Sequence, residues 1–141
     1  MVVAAKDTLM KKFELTKDML TMLHGTFYPT GYAFIMFPEE SQAMQVAGDI
    51  GAMADEAMLL SPTVVLREIG KVDGEAGGAL PDVGTESATV GKYIDLARKG
   101  HHALMIPAGE EEDVEQLMVA VRKTPFSYAQ KYRMLAIEDL E

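Results

Sequence analysis

Apolar residues in this chain fall into two kinds of pattern. Short unbroken runs, YAFIMF at 32–37 and HALMI at 102–106, are too short for helices and rich in aromatic and branched side chains, which predicts strands. Behind each run the spacing changes to three and four. Ala43, Val46, Ala47, Ile50 and Ala54 share one helical face, and Val114, Leu117, Met118 and Val121 share another. Each predicted helix leads to a further predicted strand, TVVLREI at 63–69 and YAQKYRMLAIE at 128–138. For the first of these, Ser61-Pro62 offers a competing signal, a helix N-cap followed by proline at the first helical position.

The two stretches are similar to each other. Setting Pro38 against Pro107 places Tyr32 opposite His101 and Met36 opposite Met105, with acidic residues after each proline. Two strand–helix–strand units in one chain predict an α+β fold, the ferredoxin-like α/β plait, with its first and third strands side by side and parallel. Two additions surround this plan. A helical arm over residues 1–30 is expected to carry a helix at about 7–24, started by Asp7 and stopped by Gly25. Within the plait domain, 31–141, a glycine-rich loop at about 70–85 precedes a helix at about 86–99.

The sequence FPEESQA, joining an aliphatic strand to an acidic, alanine-containing helix start, resembles a small bacterial general-stress domain family of ferredoxin-like fold. The resemblance covers about residues 32–69 and extends to the second half. It implies the plait fold and an uncharacterised role rather than an activity. The chain lacks the apolar, glycine-rich, membrane-associated middle that many members of that family carry.

In YAFIMF one strand face carries Tyr32, Phe34 and Met36 and the other Ala33, Ile35 and Phe37, so neither is polar. A two-layer plait covers one face only, and a sheet open to water should alternate. Covering is therefore expected from the N-terminal helix, the helix at 86–99 or a second copy of the chain, and a homodimer is the expected assembly. The small residues Ala43, Ala47, Gly48, Gly51, Ala52 and Ala54 predict a helix that packs closely, unless it ends near Gly48.

Composition narrows the roles. The chain has 141 residues, the length of one domain, and a formal charge of -9. That charge opposes nucleic acids and anionic membranes alike. Cysteine is absent, which removes thiolate chemistry and disulfides and makes the cytoplasm the expected compartment. No apolar run approaches the roughly 20 residues of a membrane span. Eleven methionines sit mostly among other apolar residues, as core filling requires.

Candidate chemistry is sparse. His101 and His102 are neighbours on a strand and point to opposite faces, so they cannot share one metal ion. The acids after Pro107 are expected at a helix N-terminus, where they suit the dipole. Parallel first and third strands would bring Glu39 and Glu40 up to Glu110 and Glu111, a setting for a hard cation such as Mg²⁺ or Ca²⁺. The same arrangement would set His101 beside Tyr32 as an acid–base pair, with His24, Tyr28 and His102 as ligand-binding neighbours.

Other motifs fail. GTESATVGKY has six residues where a phosphate loop has four, and no dinucleotide fingerprint, zinc spacing or nucleophile elbow occurs, so no cofactor is implied. No serine shows a base partner in the sequence. YAQKYR is expected as an edge strand whose Lys131 and Arg133 discourage aggregation. The resulting expectation is an oligomeric binding or regulatory module with room for a small ligand. The alternatives are a plait-type enzyme using His101 with Tyr32, or a purely structural interaction protein.

Overall fold

The computed structural model describes residues 11–12, 27–70, 85–133 and 137–141. The fold is α+β, with six strands in one sheet and helices on both sides. In chain order the elements are β1 (Lys11–Lys12), β2 (Tyr32–Phe37), α1 (Glu40–Ile50), a 3₁₀ helix (Gly51–Glu56) and β3 (Met58–Leu60). Then come α2 (Pro62–Val64), a π-helical stretch (Val65–Ile69), α3 (Thr85–Arg98), β4 (His102–Pro107), α4 (Glu111–Val121), β5 (Tyr128–Tyr132) and β6 (Ile137–Asp139).

The strand order is β1-β3-β4-β2-β5-β6. Only the β1–β3 pair is parallel; β3–β4, β4–β2, β2–β5 and β5–β6 are antiparallel. The expected parallel pairing of the first and third strands is therefore wrong. Parallelism belongs to the two ends of each strand–helix–strand unit, β2 with β3 and β4 with β5. These units interleave, so β4 lies between β3 and β2, and β2 lies between β4 and β5. Neighbours then come from different units and run in opposite directions.

The internal similarity is visible locally. Each six-residue strand, β2 or β4, is followed by an eleven-residue helix, α1 or α4. At each helix start a side chain three residues on accepts the N-cap N–H: Gln42 Oε1 from Glu39 at 3.0 Å, and Asp113 Oδ2 from Glu110 at 3.4 Å. The halves diverge afterwards. TVVLREI is helical rather than extended. Ser61 Oγ accepts the Val64 N–H at 3.2 Å, Pro62 occupies the first turn, and Val65 and Ile69, four apart, are buried together. Capping and one-face burial override the strand preference of its β-branched residues. The strand itself is the preceding MLL. The stretch at 128–138 is two strands, β5 and β6.

Helix α1 ends at Ile50 because Gly51 takes a φ of +64°, which side-chain-bearing residues rarely adopt. Gly48, Gly51 and Ala52 are exposed, so the close-packing role expected of them does not hold; Ala43, Ala47 and Ala54 are buried.

Alternation along the strands divides the core in two. Ala33, Ile35, Phe37, Leu104, Ile106 and Ala129 pack with α1 and α4 through Val46, Ile50, Leu117 and Val121. Phe34, Met36, Met58, Leu60, Met105 and Tyr132 pack on the opposite side with Val65, Ile69, Val90, Tyr93 and Leu96, from the π-helical stretch and α3, and with Phe27. Among the described residues both sheet faces are thus covered from within the chain, without the bare face on which the expected dimer rested.

Strand β5 is internal, flanked by β2 and β6, and Lys131 is buried, so the edge-strand reading of YAQKYR is also overturned. Lys11–Lys12, within the expected N-terminal helix, instead extends the sheet beside β3. The rest of that helix, His24 and most of the glycine-rich loop lie outside the described residues. Among the described residues no helix is long and apolar enough to cross a membrane.

Candidate functional site

The antiparallel β2–β4 pair separates residues that the sequence reading had joined. Tyr32 pairs with Pro107, while Phe37 pairs with His102. Five residue steps along β2 are roughly 17 Å, so Tyr32 cannot act with His101. Glu39 and Glu40 follow the C-terminal end of β2, and Glu110 and Glu111 follow the C-terminal end of β4, at opposite ends of the sheet. The proposed cation site does not form, and among the described residues no group of three acidic or histidine side chains is placed to hold a metal ion. Glu111 Oε2 pairs with Arg133 at 2.8 Å. Tyr28 is buried; its hydroxyl donates to the Arg133 carbonyl at 2.7 Å and its ring meets Tyr132 edge-on.

His101 finds a different partner. Two connections bring it there. Gly100, at φ +93°, closes α3 with its N–H on the Ala97 carbonyl, and the His101 N–H returns to Leu96 at 3.1 Å. On the other connection, Thr124 Oγ1 donates to the Val121 carbonyl at 2.7 Å as α4 ends, and Pro125 blocks continuation. Ser127 then donates its N–H to the Met36 carbonyl at 2.8 Å. At this meeting point His101 Nδ1 lies 2.9 Å from Ser127 Oγ, which also lies 3.1 Å from the Met36 carbonyl.

The histidine–serine pair ties the start of β4, the end of β2 and the entry to β5 together. When the hydroxyl donates to Met36, the imidazole Nδ1–H donates to the hydroxyl; the other tautomer reverses the second bond. Burial first, then the charges of Lys99 and His102, hold His101 below the ordinary histidine value. The imidazole therefore keeps its neutral form to lower pH than a free histidine does. Among the described residues no carboxylate hydrogen-bonds to it, and the Met36 carbonyl competes for the serine proton, so the pair lacks the third group of an activated serine. At the next position His102 Nδ1 is buried, without a hydrogen-bonding partner among the described residues.

Ser127 was invisible in the sequence because its partnership crosses two connections and depends on strand direction. Comparison with family models, with curated proteins and with solved structures finds no match for this chain.

Proposed function

We propose that this protein is a binding or regulatory module built on the ferredoxin-like plait, holding a small polar ligand at the His102 imidazole, at the start of β4. The plait reading is supported by the order β3-β4-β2-β5, by its alternating directions and by α1 and α4 sharing one face. The α3 side is then an added third layer. The FPEESQA resemblance supports a stress-related role, and the lack of cysteine suits the cytoplasm.

The observation that carries the ligand site is the unpaired, buried His102 Nδ1. Such an atom costs about 1–3 kcal/mol, and a ligand or ordered water that completes its hydrogen bond recovers that cost. The enzyme alternative loses its pair, since Tyr32 and His101 stand apart. A thermal-shift panel of metabolites, nucleotides and flavins tests the reading. A ligand at 100 times its Kd adds about 2.7 kcal/mol of stability. The shift is expected to vanish in His102→Leu, and a panel without any shift overturns the small-ligand proposal.

A further inference from the structure

Strand β6 ends the sheet beside β5, and none of residues 137–141 is fully buried. Ile137 and Leu140 are half-buried, one against each side of the core. The Leu140 N–H donates to the Ala129 carbonyl at 3.0 Å. Two arginines clasp this segment from outside. Arg133, just after β5, holds Glu138 through Nη2 at 2.6 Å and Glu111 of α4 at 2.8 Å. Arg122, at the end of α4, holds the Glu141 carbonyl at 2.9 Å and Glu115 at 3.3 Å. Both clasps lie at the surface, where an ion pair adds little stability. What β6 covers is unlike the rest of the sheet. Strands β2 and β4 are wholly apolar from Ala33 to Phe37 and from Ala103 to Ile106. Strand β5 carries Gln130 and Lys131, each only 3% exposed, directly across from Asp139 and Glu138. Gln130 Nε2 donates to Asp139 of β6 itself.

We propose that residues 137–141 form a latched strap, which opens from β5 as one unit while the rest of the sheet stays folded, and which uncovers Gln130 and Lys131 when it opens. Few apolar contacts and surface polar ties mark a segment of low local stability. Its loss leaves β2, β4, α1 and α4 with their mutual packing intact, since only Leu140 and Ile137 reach the core from the strap. The composition of β5 suits both states. With the strap closed, Asp139 and Glu138 face the two polar side chains. With it open, water takes the place of Asp139 on Gln130. The charge of Lys131 then deters pairing of the bare β5 edge with other chains, as lysines do on natural edge strands.

Native-state hydrogen exchange of the full chain, followed by NMR residue by residue, tests the proposal. The amides of β6 and of Leu140 should exchange with one common opening constant, at least about a hundredfold larger than that of the β2 amides. Arg133→Gln should raise the strap constant roughly twofold to fivefold, the worth of a surface ion pair, and leave β2 unchanged. Leu140→Ala, which alters no charge, should raise it about tenfold. In that variant the acetylation of Lys131 by an N-hydroxysuccinimide ester, mapped on peptides, should rise by the same factor, with exposed Lys99 and Lys123 unchanged. Leu140 exchanging no faster than β2 overturns the strap. Exchange that is graded residue by residue toward Glu141 overturns opening as a unit. Lys131 acetylation unmoved by Leu140→Ala overturns the uncovering of β5.

Discussion

The hydroxyls of Tyr93 and Tyr132 lie 2.7 Å apart in the core between α3 and the sheet, with neither side chain exposed. Tyr93 also stacks on Phe34, with ring centroids 4.0 Å apart. Tyr132→Phe keeps the rings packed but takes the hydrogen bond from Tyr93, and should cost about 1–3 kcal/mol by urea unfolding. Removing both hydroxyls should cost less than the sum of the single changes, because the pair shares one bond. Additive costs would mean that the two hydroxyls are not coupled.

Burial is the main reason that the Tyr93 phenol sits well above the ordinary value of 10.0, with Tyr132 adding to it. The folded state holds this proton more tightly than the unfolded state. Its contribution is therefore complete below pH 10.0 and is lost as pH rises further. Stability should fall in that range, and part of the slope should disappear in Tyr93→Phe.

His101 has the opposite dependence. Its value is lowered from 6.5 on folding, so its neutral form contributes stability that is present above pH 6.5 and is lost as pH falls through the folded value. Urea midpoints measured across this window should decline with acidification. His101→Gln should decline less steeply; an unchanged slope would locate the effect in other groups.

Two glycines should respond in opposite senses to alanine. Gly51 holds φ +64° at the end of α1, so Gly51→Ala should destabilise by about 1–3 kcal/mol. Gly91 lies inside α3 with nothing within 4 Å of an added Cβ, so Gly91→Ala should stabilise by roughly 0.5–1 kcal/mol. Thermal melts of both variants decide the point.

Because both sheet faces are filled from within the chain, sedimentation should give a mass near 15.4 kDa. A dimer at micromolar concentration would require an interface other than the sheet faces.

The periodicity in the sequence located β2, α1, α3, β4 and α4 closely, since each has a clear apolar period or run. It misplaced β3, because three residues of MLL carry too short a pattern to compete with the β-branched VV that follows. Ser61-Pro62 held the correct signal, and weighing the cap above propensity would have found it. Strand direction was the costlier error. Periodicity tells which residues share a face and says nothing of which strand lies between two others. Turning β4 around moved His101 from Tyr32 to Ser127 and parted the acidic clusters. Lys131 was misread for the same reason, since whether a strand is an edge depends on what pairs beside it.

The interleaved strand order also sets a timetable. Strand β2, with Ala33 to Phe37 fully buried in the finished fold, is paired in the sheet with β4 and β5, at residues 102–107 and 128–132. During synthesis from the N-terminus these partners are made late, so YAFIMF must wait without its ladder while everything between is translated. Loop closure over that span has to be met before the central contacts form, which makes for slow folding. The same six residues that anchor the mature sheet are thus the segment of the nascent chain most in need of a chaperone.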